Sequence, residues 1–240
     1  MGIEKNLADF LSSDVEAVVA SERNYAARYN RQSEPRAILL AGQPGAGKTV
    51  LSSMLNKLLC GNVYFINADE YRRFHPNYKE LYARYGSDSV QMTSGFSGAV
   101  TERLIHETSE RGIHLIIEGT GRTTDVPHRT AELLVKKGYR VELAVIATRP
   151  EHSLCSTLLR FYEMNERGTI PRATAMEAHD YVVRVLPDNL DILRDDPVIS
   201  GITIWDRTPT KIYDSCGTAE CPSEVLRQYW NRPWSDEELQ

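Results

Sequence analysis

Short apolar runs alternate with helical spacings along most of this chain. Residues 4–31 place Leu7, Phe10, Leu11, Val15, Val18 and Val19 at roughly helical intervals, which predicts one or two helices before the first strand. Ser13, just ahead of Asp14, is the expected cap of the second helix. A polar connection, Asn30 to Pro35, leads into the apolar run Ala37-Ile38-Leu39-Leu40-Ala41 and a glycine-rich turn. Leu51, Met54, Leu55, Leu58 and Leu59 then recur at helical spacing, completing a strand–loop–helix unit. Further buried strands are expected at Val63–Ile66, Leu115–Ile117, Val141–Ile146 and Ile202–Trp205. Helical patterns lie between them, around Val100, Leu104 and Ile105, around Ala131, Leu133 and Leu134, and from Thr174 to Leu193. Apolar strands alternating with helices imply an α/β fold with a mostly parallel sheet flanked by helices on both faces.

The 240 residues suit one such domain, and 41% hydrophobic with 25% charged residues is the composition of an ordered globule. A net charge of −5 and a pI near 5.7 argue against a nucleic-acid partner, whose phosphates call for a basic surface. The chain contains no apolar run of membrane-spanning length, and the N-terminus carries Glu4 without a long apolar block, so neither a membrane span nor a secretory signal is expected. Cys60, Cys155, Cys216 and Cys221 lack zinc-site spacing and fit reduced thiols in a cytoplasmic protein.

Between the first strand and the helix after it stands Gly42-Gln43-Pro44-Gly45-Ala46-Gly47-Lys48-Thr49, a full P-loop pattern in its required context. Glycines allow backbone N–H groups to close on phosphate oxygens, and the following helix directs its positive end at the same charge. The expected nucleotide contacts are Gly42, Gln43, Pro44, Gly45, Ala46, Gly47, Lys48, Thr49 and Val50, with Lys48 on the β- and γ-phosphates and the Thr49 hydroxyl on Mg²⁺. The fold class sharpens to P-loop NTPase-like, a single domain with an N-terminal helical extension. No Asn-Lys-x-Asp element of the guanine-reading kind occurs, which favours ATP.

A P-loop leaves the reaction open. In an open α/β sheet ligands bind beyond the carboxyl ends of the strands, and Asp69 and Glu118 fall at two such ends. Transfer of a phosphoryl group to a hydroxyl needs a carboxylate to take the proton and cations to meet the charge. Asp69 suits the base; Glu118 suits either Mg²⁺ or acceptor hydroxyls. Arg160, in a helical stretch, and Arg172, after the turn-like Gly168-Thr169-Ile170-Pro171, could close over a triphosphate.

These residues sit within ordered segments that resemble the zeta toxin family, the kinase half of epsilon–zeta toxin–antitoxin pairs. The segments are the P-loop, Asn67-Ala68-Asp69-Glu70-Tyr71-Arg72, Ile117-Glu118-Gly119-Thr120-Gly121-Arg122-Thr123, Ala144 to Glu151, Arg160-Phe161-Tyr162-Glu163, Pro171-Arg172-Ala173-Thr174 and Ala178-His179-Asp180, spread over residues 36–215. The resemblance implies phosphorylation of UDP-N-acetylglucosamine on the 3′-hydroxyl of its amino sugar. It implies Asp69 as base, Lys48, Arg160 and Arg172 on the transferring phosphate, and Glu102, Glu118, Thr120 and Arg122 around the sugar nucleotide. Glu102 stands out only through this resemblance. It further implies a separate small helical antitoxin that blocks the nucleotide site. Ala68 and Pro44 depart from the family pattern without removing a charged group. The expected organisation is an N-terminal helical segment over 1–35, a P-loop kinase domain over 36–215, and a tail over 216–240 with a short helix. A kinase of another small acceptor, or a non-catalytic nucleotide-dependent switch, remain the alternatives.

Overall fold

The computed structural model describes residues 6–171 and 174–234. Its strands are β1 (Arg36–Ala41), β2 (Val63–Asn67), β3 (His114–Glu118), β4 (Arg140–Ile146), β5 (Ile202–Trp205) and β6 (Lys211–Asp214). They form one sheet in the order β2-β3-β1-β4-β5-β6. The first five strands are mutually parallel, and β6 pairs antiparallel with β5. The helices are α1 (Ser12–Ala26), α2 (Lys48–Leu58), α3 (Ala68–Tyr71), α4 (Tyr78–Tyr85), α5 (Ser89–Met92), α6 (Ser94–Glu110), α7 (Asp125–Lys136), α8 (Pro150–Glu166), α9 (Met176–Arg194) and α10 (Pro222–Asn231).

Alternation along β1 divides the core. Ile38 and Leu40 pack with Leu51, Leu55 and Leu59 from α2 and the residue beyond it. Ala37, Leu39 and Ala41 face the larger cluster, which takes in α1, α6, α7, α9 and α10 through Val19, Val100, Leu134, Leu186 and Leu226. Both faces of the central strand β1 are therefore dry, as its continuous apolar run requires, whereas Phe65 on the edge strand β2 stays exposed. The chain leaves β1 for β2 at the sheet edge, fills the gap with β3, and crosses to β4 on the other side. That reversal opens a crevice beyond the carboxyl ends of β1, β3 and β4.

Two local features differ from the sequence pattern. One helix precedes β1 among the described residues, within the expected one or two, but its cap is Leu11 rather than Ser13; the Asp14 carboxylate accepts the Leu11 N–H at 2.8 Å. Ser13 lies inside the first turn, where its side chain cannot cap. The strand β6 was not expected, because Ile212 and Tyr213 alone carry its apolar character between Lys211 and Asp214. Those end charges pair at 2.7 Å along an exposed sheet edge. Among the described residues no helix is long and apolar enough to cross a membrane, and all four cysteines are free and exposed.

Candidate active site

The phosphate cradle is built by backbone that only glycine tolerates. Gly42 has φ +151°, and a β-carbon there would stand 2.7 Å from Ile146 Cγ2. At Gly45, with φ +76°, a β-carbon would reach 2.0 Å from the Ser153 carbonyl oxygen, so the first turns of α8 abut the loop directly. Gly47 caps α2 in the left-handed region without any side-chain acceptor, which leaves the first N–H groups of α2 aimed into the loop. Thr49 and Val50 are exposed in the first turn of α2. Pro44 is half-buried and Ala46 buried, so both line the loop chiefly as backbone. Gln43 turns its side chain inward, fully buried, donating from Nε2 to the Thr148 carbonyl at 2.6 Å and to the Ser153 hydroxyl at 3.2 Å. Its side chain therefore serves the scaffold, and its main chain faces the loop.

Lys48 gathers the charged residues. Its ammonium donates to the carbonyls of Gly42 at 2.8 Å and Gln43 at 3.3 Å, and lies 3.9 Å from Glu118 Oε1. Burial pushes this amine below the ordinary lysine range; the charges of Glu118 and Asp69 oppose that shift, and Arg160 adds to it. Glu118, Asp69 and Arg160 thus all act on Lys48. Glu118 ends β3 in register with Leu40 on one side and Asn67 on the other, and Asn67 Nδ2 donates to Glu118 Oε2 at 3.0 Å.

Asp69 follows β2 as the second residue of α3. Asn67 Oδ1 caps that turn by accepting the Asp69 N–H at 3.0 Å. The carboxylate is more than half exposed and takes Arg72 Nε on Oδ1 at 2.9 Å. Arg72 is itself held, donating from Nη1 to the Val90 carbonyl at 2.6 Å.

The segment after β3 runs beside the P-loop, with the Gly42 N–H donating to the Thr120 carbonyl at 3.4 Å. Thr120 Oγ1 accepts the Arg122 N–H at 3.4 Å, and Arg122 is exposed. Asn189 of α9 fixes the same segment through the Gly121 carbonyl at 2.8 Å. Arg160 is exposed on α8. Arg172 lies outside the described residues. Glu102 is exposed on α6, and no contact among the described residues joins it to Lys48, Asp69 or Glu118.

Residues that the sequence pattern did not single out complete the arrangement. Asn67 and Arg72 position the two acids. Arg207, in the turn between β5 and β6, lies beside the loop, its Nε 3.7 Å from where a Gly47 β-carbon would stand, and donates to Ser156 Oγ at 3.2 Å. No local pattern marks Arg207, because the turn after β5 meets the P-loop only through the sheet order. Among the described residues no group of three His, Cys, Asp or Glu side chains could hold a metal ion by itself.

Comparison with known proteins places this geometry. The family model described as Zeta toxin matches residues 20–218. Toxin PezT of Streptococcus pneumoniae serotype 4 is 39% identical over 234 residues, covering 97% of this chain and 92% of that protein. Toxin zeta of Streptococcus pyogenes is 40% identical over 208 residues, 86% of this chain and 72% of that protein. Among solved structures, one from the PezAT chromosomal toxin–antitoxin system of S. pneumoniae superposes with a TM-score of 0.88 at 37% identity, covering 98% of this chain and 93% of that one. The AvrRxo1-ORF1:-ORF2 complex shares the fold alone, with a TM-score of 0.64 at 15% identity over 96% of this chain and 76% of that one. With a P-loop pattern between β1 and α2, acids at the ends of β2 and β3 and a mostly parallel sheet, the chain belongs to the zeta toxin family.

Proposed function

We propose that this protein is an ATP-dependent kinase that phosphorylates UDP-N-acetylglucosamine at the 3′-hydroxyl of the amino sugar, as the cytoplasmic toxin of a toxin–antitoxin pair. The observation that carries the reading is the convergence on Lys48: Glu118 at 3.9 Å, with Asp69 and Arg160 acting electrostatically on the same buried ammonium. A structural ion pair would not need an exposed acid, a glycine cradle and a second cation around one lysine.

In the proposed step the acceptor hydroxyl oxygen attacks the γ-phosphorus. Its proton passes to the Asp69 carboxylate, the bond to the β–γ bridging oxygen breaks, and ADP leaves. Lys48 exchanges its carbonyl partners for phosphate oxygens, and Arg160 and Arg172 meet the charge that develops on the transferring group. Arg207 adds a cation at the Gly47 end of the loop, suited to the nucleotide's inner phosphates. The surroundings fit Mg²⁺: Thr49 is exposed at the start of α2, and a hard cation that keeps several waters takes most of its other ligands from phosphate, so no all-protein cage is needed. Such an ion supplies charge neutralisation at the phosphates. Glu118, Thr120, Arg122 and Glu102 are assigned to the sugar nucleotide. The kinase domain is proposed to span residues 36–215, with α1 packed onto it through Val18, Val19 and Ala26.

The antitoxin is proposed to be a small helical protein covering the nucleotide site; the structural relative's toxin–antitoxin system supports that partner class. A coupled assay with purified protein, ATP, Mg²⁺ and UDP-N-acetylglucosamine should release ADP in proportion to the sugar nucleotide. Turnover with other hydroxyl acceptors but not with this one would transfer the site to a different substrate.

A further inference from the structure

The helix that carries Arg160 has little apolar hold on the protein. Only Ser153 and Thr157 of α8 are buried, whereas Leu158, Leu159 and Tyr162 are exposed. A surface helix ordinarily docks through an apolar stripe; the buried positions of α8 are two small polar side chains, with Arg207 adding a contact to Ser156 at 3.2 Å. Ser153, Thr157 and Arg160 stand at i, i+4 and i+7, so they share one face of the helix. Whatever fixes Ser153 therefore fixes the direction in which Arg160 projects.

Ser153 is held by buried polar contacts from two other elements. Gln43 of the P-loop donates to its hydroxyl at 3.2 Å, and His179 Nε2 lies 2.7 Å from the same oxygen. The hydroxyl also stands 2.8 Å from the Pro150 carbonyl. His179 Nδ1 is 3.0 Å from Asp180 Oδ1; an ionised carboxylate only accepts, so Nδ1 carries a proton. Nε2 then either accepts the Ser153 proton or, on a cationic ring, donates to Ser153 while the serine proton goes to Pro150. The His179–Ser153 bond survives in both arrangements.

His179 heads the stripe His179, Val182, Leu186, Leu190 and Leu193, all buried, by which α9 is set in the core. It is thus the point where a firmly anchored helix grips a weakly anchored one. Through Ser153 and Gln43 the grip continues into the phosphate loop, which Gly45 brings against the Ser153 carbonyl without a side chain between.

We propose that His179 is a positioning residue, whose bond to Ser153 keeps the Arg160 face of α8 turned toward the P-loop. Its catalytic consequence rests on the phosphoryl transfer proposed above; the anchoring does not. The test is hydrogen–deuterium exchange and steady-state kinetics on the full chain with His179→Ala, His179→Gln and Ser153→Ala. A glutamine amide can still donate to Ser153 from near the Nε2 position. His179→Ala is expected to speed exchange in residues 154–166 by about tenfold or more while β1, β3 and β4 keep their protection. Its kcat should fall by about 10–100-fold with a KM for ATP altered less than about threefold. His179→Gln should restore both readouts to within a few-fold, and Ser153→Ala, a smaller change that also guards against a folding defect, should match His179→Ala. Combining the two substitutions should add little, since both break one bond. Unchanged exchange in α8 in both alanine variants would overturn the proposal, whatever the kinase assay shows. So would faster exchange spread evenly over α9 and the strands, the mark of a mere core residue.

Discussion

Lys48 and Glu118 face each other where β1 and β3 end, with the ammonium nitrogen 3.9 Å from Oε1. The lysine is mostly buried and held below its ordinary pKa by that burial, against the pull of Glu118 and Asp69. A base whose folded pKa is depressed weakens the fold below that pKa, and the penalty disappears as pH rises toward the ordinary lysine value. Lys48→Met should therefore abolish turnover, by about a thousandfold or more, without lowering thermal stability at neutral pH. Calorimetry alongside the assay checks this; a fall in Tm of more than about 5 °C would mean that the lysine is a structural ion-pair partner instead.

Glu118 shares Asn67 with the turn that presents Asp69, which ties it to the proposed acceptor side of the site. Glu118→Gln keeps the shape and one acceptor oxygen for Asn67, so the fold should persist. The KM for the acceptor should rise by about tenfold, with the Mg²⁺ dependence unchanged. A higher Mg²⁺ requirement with an unaltered acceptor KM would assign the carboxylate to the metal.

Arg72 holds one Asp69 oxygen at 2.9 Å while anchored to the Val90 carbonyl. Removing that hold in Arg72→Gln should let the proposed base wander, costing about tenfold or more in kcat with ATP affinity intact, as a titration with a fluorescent nucleotide would register. Equal loss in ATP affinity would show that Arg72 touches the nucleotide.

The bond from Arg23 holds Glu107 below the usual carboxylate range, and Arg103 adds to it. A depressed acid contributes stability that is complete above its unfolded pKa and is lost as pH falls through the folded one. Thermal melts from about pH 6 to about pH 3 should show a smaller loss for Glu107→Gln than for the unaltered chain. Parallel curves would remove this pair from the acid response.

The parts of the site read from sequence are those whose meaning is local. Gly42 to Thr49 declare a phosphate loop because the turn, the lysine and the helix start are contiguous. Asp69 and Glu118 were visible because each follows a strand-length apolar run. Their linkage through Asn67 was not, since β3 inserts between β2 and β1 and only that strand order sets Asn67 opposite Glu118. His179 stood within the Ala178-His179-Asp180 segment, but its contact with Ser153 was hidden for the opposite reason: at helical spacing with Val182 and Leu186 it looks like any core residue. The cap of α1 fell on Leu11 rather than Ser13 because capping depends on where the backbone leaves the helix, a property of φ and ψ rather than of residue type alone.

The most direct test of the proposed chemistry is mass spectrometry of UDP-N-acetylglucosamine after incubation with ATP and Mg²⁺, using the unaltered chain and Asp69→Asn. The unaltered chain should add one phosphate to the amino sugar. Asp69→Asn should lose that product by about a hundredfold or more while still binding ATP. Undiminished phosphorylation by Asp69→Asn, or an unmodified sugar nucleotide with the active, nucleotide-binding protein, would contradict it.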